Sequence, residues 1–194
     1  MTTSSKDRLS LTDPRQMRAL AHPLRLRLLG LLRTDGPATA TMLAKEVGES
    51  AALVSFHVRS LAEHGFVHEA PELARDGRER WWRASHPGME WNPADFVDSP
   101  EGAAAAGALM SQIAERYAES GREWLADAPN WPKDWVDAAD MSDWRLELGP
   151  DQTRALRDEL VAIIERFAAM RPDEGSEPVV AIVQLLPQRR RGEA

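Results

Sequence analysis

The chain has 194 residues, no cysteine, 28% charged and 43% hydrophobic residues and a formal net charge of -7, a composition of a folded domain of ordinary size plus a small one. Without cysteine there is no disulfide, thiolate metal site or cysteine nucleophile, and without a long apolar run or a signal-peptide core the expectation is a cytoplasmic protein. The charge is uneven, with eleven Lys/Arg against eight Asp/Glu in residues 14–86 and eleven against twenty-one in 87–194, so the overall acidity leaves a nucleic-acid partner open for the first half.

A polar tail, 1–13, leads to Asp13 as N-cap and Pro14 at the first position of a helix with Met17, Leu20 and Ala21 on its apolar side. His22-Pro23 interrupts it, because proline disfavours helical geometry in the residue before it. A second helix, PLRLRLLGLLRTDG, repeats Leu24, Leu28, Leu31 and Leu32 at helical spacing and stops at Asp35-Gly36-Pro37. Thr39 caps a third helix, ATMLAKEV, with Leu43 and Val47 inward; Gly48 turns the chain, and Ser50 caps a fourth that runs to His64 and closes at Gly65. Next the period becomes alternating. FVHEAPEL and RERWWRAS read as two strands joined by a hairpin at Asp76-Gly77. Four helices and a hairpin in this order make a winged helix-turn-helix over 14–86.

Residues 87–100 are proline-punctuated and read as a linker that packs through Trp91 and Phe96. From about Glu101 to Ala126 a long helix carries Ala106, Met110, Ile113, Tyr117, Ser120 and Trp124 four and three apart, a seam that calls for a second helix and marks Met110, Ile113, Tyr117 and Trp124 as a dimer interface. After an acidic loop, DWRLELG reads as a strand, the stretch from Pro150 as a helix with Leu156, Leu160, Ile163, Ile164 and Phe167 inward, and EPVVAIVQLLP as a buried strand, before the basic tail 189–194. The expected fold is mainly α with small β elements: a winged helix-turn-helix followed by a smaller α+β dimerisation or sensing region over 101–188.

In a helix-turn-helix the second helix enters the major groove and the first braces it. Val54, Val58 and Leu61 form the buried side of the fourth helix, leaving Ala51, Ala52, Ser55, Phe56, Arg59 and Ser60 outward. Small residues let the backbone approach, Ser55 can bond a base or phosphate, Arg59 suits phosphate or guanine, and Phe56 can touch a thymine methyl. Thr39, Ser50 and His57 join the candidate DNA contacts, and Arg75 and Arg78 would reach out from the wing tip. His57 has an equal claim to be a packed residue bonded to backbone.

MRALAHPLRLRLLGLLR, LAKEVG, VSFHVRSLAEHGFV and the hairpin around RDGRERWWR together resemble the ArsR-type winged helix-turn-helix regulators over about residues 14–86. The resemblance implies a homodimeric transcriptional regulator, usually a repressor, on a palindromic operator, with Ser55 and His57 matching the serine and histidine of an S-x-H-L core and Val58 in its leucine place. Phe56 stands where that pattern more often has a polar or basic residue. Metal-sensing members carry thiolates on the helix that here reads ATMLAKEV, or Asp and His ligands on the long helix; neither set is present, so no metal and no cofactor is expected. Trp91, Trp124, Trp131 and Trp135 are candidates for a small-molecule effector pocket, since tryptophans line such pockets as well as cores. No nucleophile elbow, phosphate-binding glycine loop or HExxH is found, so catalysis is not expected. The competing possibility is a winged-helix protein-interaction module without an operator.

Overall fold

The computed structural model describes residues 8–75 and 79–189, which fall into two units, 8–123 and 124–189. In the first, α1 (Pro14–Leu20) starts where the Asp13 carboxylate accepts from Arg15 N at 2.8 Å, and α2 (Pro23–Thr34) where His22 Nδ1 accepts from Leu24 N at 3.2 Å. Both prolines stand in a first turn that has no amide partner to lose. β2 (Ala38–Thr39), α3 (Ala40–Val47) and α4 (Ala51–Glu63) follow, then β3 (Val67–Glu69) and β4 (Trp81–Ala84). β4 is central in an antiparallel sheet ordered β2-β4-β3, with Thr39 opposite Trp81 and His68 opposite Arg83.

The core of this unit joins Met17 and Leu20 of α1, Leu28, Leu29 and Leu32 of α2, Leu43 of α3, Val54, Val58 and Leu61 of α4, Phe66 and Trp82. On α2 the buried set is Leu26, Leu28, Leu29 and Leu32, whereas Leu24 and Leu31, expected inward, are only partly buried. A helix so rich in leucine offers more than one apolar stripe, and packing chooses among them. The expected strand FVHEAPEL is cut to three residues because Pro71 opens a single 3-10 turn over Pro71–Leu73. The Asp76-Gly77 turn lies outside the described residues.

Two stretches expected as tail and linker are built into this unit. β1 (Leu9–Ser10) pairs in parallel with β5 (Met89–Glu90), Arg8 Nη2 donates to Met89 O at 2.7 Å, and Leu11 and Phe96 are buried. α5 (Pro100–Asp127) then lays Gly102, Ala105, Ala106 and Leu109 against the core. A Cβ on Gly102 would come within 2.8 Å of Ser99 Oγ and 3.0 Å of Phe96 O, so a larger residue here must push these neighbours aside. Further along, Arg116 lies over Gly30 and donates to Leu26 O at 3.1 Å. Burial, with Arg8 and Arg116 nearby, lowers the Arg33 guanidinium to about 10.

The second unit holds α6 (Lys133–Ala138) and α7 (Pro150–Ala168). Neither DWRLELG nor EPVVAIVQLLP forms a strand among the described residues, contrary to the sequence expectation. A strand needs a neighbour to take its amide hydrogen bonds, and no strand among the described residues pairs with these segments. Their apolar side chains stand exposed, Trp144 at 75% and Val179 at 74%, as do Ile163, Ile164 and Phe167 of α7, which were expected inward.

Candidate nucleic-acid interface

The interface is built on two capped helices. The Thr39 hydroxyl accepts from Met42 N at 3.3 Å and the Ser50 hydroxyl from Leu53 N at 3.2 Å, each satisfying an amide that a helix start leaves orphaned. Gly48, at φ 73°, makes the turn between α3 and α4, and Gly65, at φ 78°, takes the chain away after α4; both are left-handed conformations that favour glycine. Val54, Val58 and Leu61 are fully buried and anchor α4. The opposite side presents Ala51, Ala52, Phe56 and Arg59 exposed, with Ser55 and Ser60 half-buried at its margins. Phe56 is 63% exposed, a large apolar surface left in water.

Arg59 lies back along the helix, donating from Nε to Ser55 O and from Nη2 to Ser55 Oγ, both at 3.2 Å. These bonds are solvent-exposed and so cheap to exchange for a phosphate or a base. Ser60 is engaged inside the protein by Arg25, whose Nη1 donates to its Oγ at 3.0 Å. Thr39 and Ser50 are committed as caps.

His57 is placed differently from its outward neighbours. It is 6% exposed, its ring is 4.4 Å from that of His22 and meets Phe56 edge-on at 5.3 Å, and its Nδ1 has no hydrogen-bond partner among the described residues. Its place is therefore the support of the helix and not the outer surface: it is packed, as the alternative reading expected, but the backbone bond which that reading also expected is not made by Nδ1 among the described residues. Burial lowers its pKa first, and His22 and Arg25 lower it further against an opposing pull from Glu49; His22 is lowered by burial and then by Arg25. Both shifts favour the neutral form of the ring.

On the wing, Arg75 is exposed and its backbone N donates to Glu79 Oε2 at 3.2 Å, while Arg78 lies outside the described residues. Two wing cations that the sequence did not single out, Arg80 and Arg83, are exposed and pair with Glu69 at 3.6 Å and Glu72 at 3.0 Å. The run RDGRER held the signal for Arg80. Among the described residues no group of three or more His, Asp or Glu is placed to hold a metal ion, and no helix is long and apolar enough to cross a membrane.

The proposed dimer and effector residues separate. Ile113 packs against the core of its own unit and Met110 is 43% exposed, with Tyr117 half-buried. Trp91 also packs against that core. Trp124, Trp131 and Trp135 belong to the other unit, where successive ring centroids are 6.0 and 5.8 Å apart and Trp131 Nε1 donates to Asp127 Oδ2 at 2.9 Å. Each of the three rings is half-buried. A cleft beside them, lined by Asp134, Trp135 and Ala138, holds about 180 Å³, short of the roughly 300 Å³ at which small-molecule sites usually begin.

Residues 20–70 match the family model described as a helix-turn-helix domain. A crystal structure described as a "possible transcriptional regulator for arsenical resistance" is 32% identical, over 50% of this chain and 82% of that one. The chain belongs to the ArsR-type winged helix-turn-helix family. An apo structure of a Lactococcus lactis ZitR double mutant is similar at 13% identity, over 76% of this chain and 83% of that one. Both superpose with a TM-score of 0.32, too low to transfer geometry. No curated protein matches the chain. Membership in the ArsR-type family makes this a DNA-binding transcriptional regulator.

Proposed function

We propose that the chain is a homodimeric, sequence-specific repressor that sets the two copies of α4 in successive major grooves of a palindromic operator, about 34 Å apart. The observation that carries this reading is the division of α4: Val54, Val58 and Leu61 are sealed in the core while Ala51, Ala52, Ser55, Phe56 and Arg59 face away from it. Alanines at the leading end give the backbone room to approach base edges, and Arg59 and Ser55 carry donors matched to phosphate and guanine. Arg75, exposed on the wing, is the candidate contact to the flanking backbone. The acidic residues beyond 87 are repelled by DNA and favour the orientation that presents α4.

Regulation follows if a signal acting on the C-terminal unit favours one dimer geometry over another, because only a dimer of fitting spacing engages both half-sites. A small molecule is the proposed signal, with the tryptophans Trp124, Trp131 and Trp135 as its sensor.

The test is fluorescence anisotropy with the DNA upstream of the protein's own coding sequence and a scrambled duplex, across a salt series. A preference of about a thousandfold or more supports an operator. Equal, weak binding to this and to other candidate promoters would replace the reading with a protein-docking winged helix, for which exposed Phe56 would be the anchor.

A further inference from the structure

Residues 143–149, Asp-Trp-Arg-Leu-Glu-Leu-Gly, alternate apolar and charged side chains as a strand does, yet they form no strand among the described residues. Trp144, Leu146 and Leu148 are all exposed. The alternation places these three on one face and Asp143, Arg145 and Glu147 on the other. We propose that this segment pairs with the same segment of a second copy of the chain, as antiparallel strands related by a two-fold axis at Leu146.

The charge pattern selects a second copy as the occupant. With Leu146 opposite Leu146, an antiparallel pair sets Arg145 of each copy opposite Glu147 of the other, twice, and Trp144 opposite Leu148, twice. One register therefore satisfies both faces. A slip by one residue puts the partner's Trp144, Leu146 and Leu148 on the charged face. Isologous pairing of this kind needs a self-complementary patch, and this seven-residue stretch is one. The backbone amides and carbonyls that one chain leaves without a ladder gain one. The second apolar segment, with Val179, Val180, Ile182 and Val183 exposed, and the open apolar side of α7 with Ile163, Ile164 and Phe167, supply further surface for covering such a sheet.

The inference rests on the homodimer reading above and adds one contact to that dimer. Because the chain has no cysteine, the register is open to single-cysteine mapping on the full-length protein. Leu146→Cys is expected to form a disulfide dimer nearly completely in oxidised glutathione. Asp143→Cys, whose two copies would stand about 20 Å apart in this register, is expected to form none. Arg145→Glu and Glu147→Arg each place like charges opposite and should weaken dimerisation about tenfold by sedimentation equilibrium. Mixing the two variants restores opposite charges at both sites and should restore dimers. Equal crosslinking of both cysteine variants, or a dimer by light scattering that neither charge reversal weakens, would overturn the strand pairing while leaving the homodimer reading standing. A monomer at all concentrations would overturn both.

Discussion

Arg59→Ala tests the groove-facing role of α4 because its cost to the free protein is small and its effect on DNA binding has a distinctive form. In the free protein the guanidinium makes two exposed hydrogen bonds of 3.2 Å to Ser55, so removing it should change stability by no more than about 0.5 kcal/mol. If each Arg59 neutralises one phosphate, a dimer loses two contacts and the slope of log K against log salt becomes shallower by about 1.8. Between 50 and 200 mM salt, wild-type affinity should then fall about twelvefold more than that of the variant. The assay is operator anisotropy over that range, with a thermal melt as control. If Arg59 instead takes a guanine, the variant loses about 1–3 kcal/mol per half-site and its preference at that base. An unchanged melt with unchanged slope, affinity and base preference would refute the placement of Arg59 in the groove.

Three further outcomes follow from the packing. Leu61→Ala removes a fully buried side chain from the face that anchors α4 and should cost about 2–5 kcal/mol in urea denaturation; a loss below about 1 kcal/mol would show that this face is not core. Gly102→Ala drives a methyl toward Ser99 Oγ and the Phe96 carbonyl and should destabilise the first unit by about 1–3 kcal/mol, whereas a rise in melting temperature would contradict the close approach. Stability should also depend on pH through His57 and His22, whose folded pKa values lie below the ordinary 6.5. The unfolded chain then binds the extra protons, so this contribution is full above about pH 6.5, declines as pH falls from there through the folded values, and is lost below them. Protonated His22 can no longer accept from Leu24 N, which adds the loss of a helix cap. His57→Gln should flatten the melting temperature between pH 7 and 5, and an undiminished slope in that variant would remove His57 from the account.

The order of elements in the first unit was legible in the sequence because each boundary has a local chemical cause. Asp13-Pro14, Thr39, Ser50, Gly48 and Gly65 act within one turn of themselves, through caps and left-handed turns, and the structure uses each as expected. The outward face of α4 was legible too, since burial of Val54, Val58 and Leu61 fixes the other side by helical period alone. What lay beyond the sequence were choices between equivalent local options. Which leucines of α2 point inward, whether His57 faces DNA or packs on His22, and that Leu9–Ser10 and Met89–Glu90 strap the domain as a parallel pair all depend on residues far apart in the chain. The strand-like segments near the C-terminus mark the same boundary from the other side. Their alternation is written in DWRLELG, but a strand exists only where a neighbour accepts its hydrogen bonds, and that neighbour is a matter of tertiary or quaternary structure.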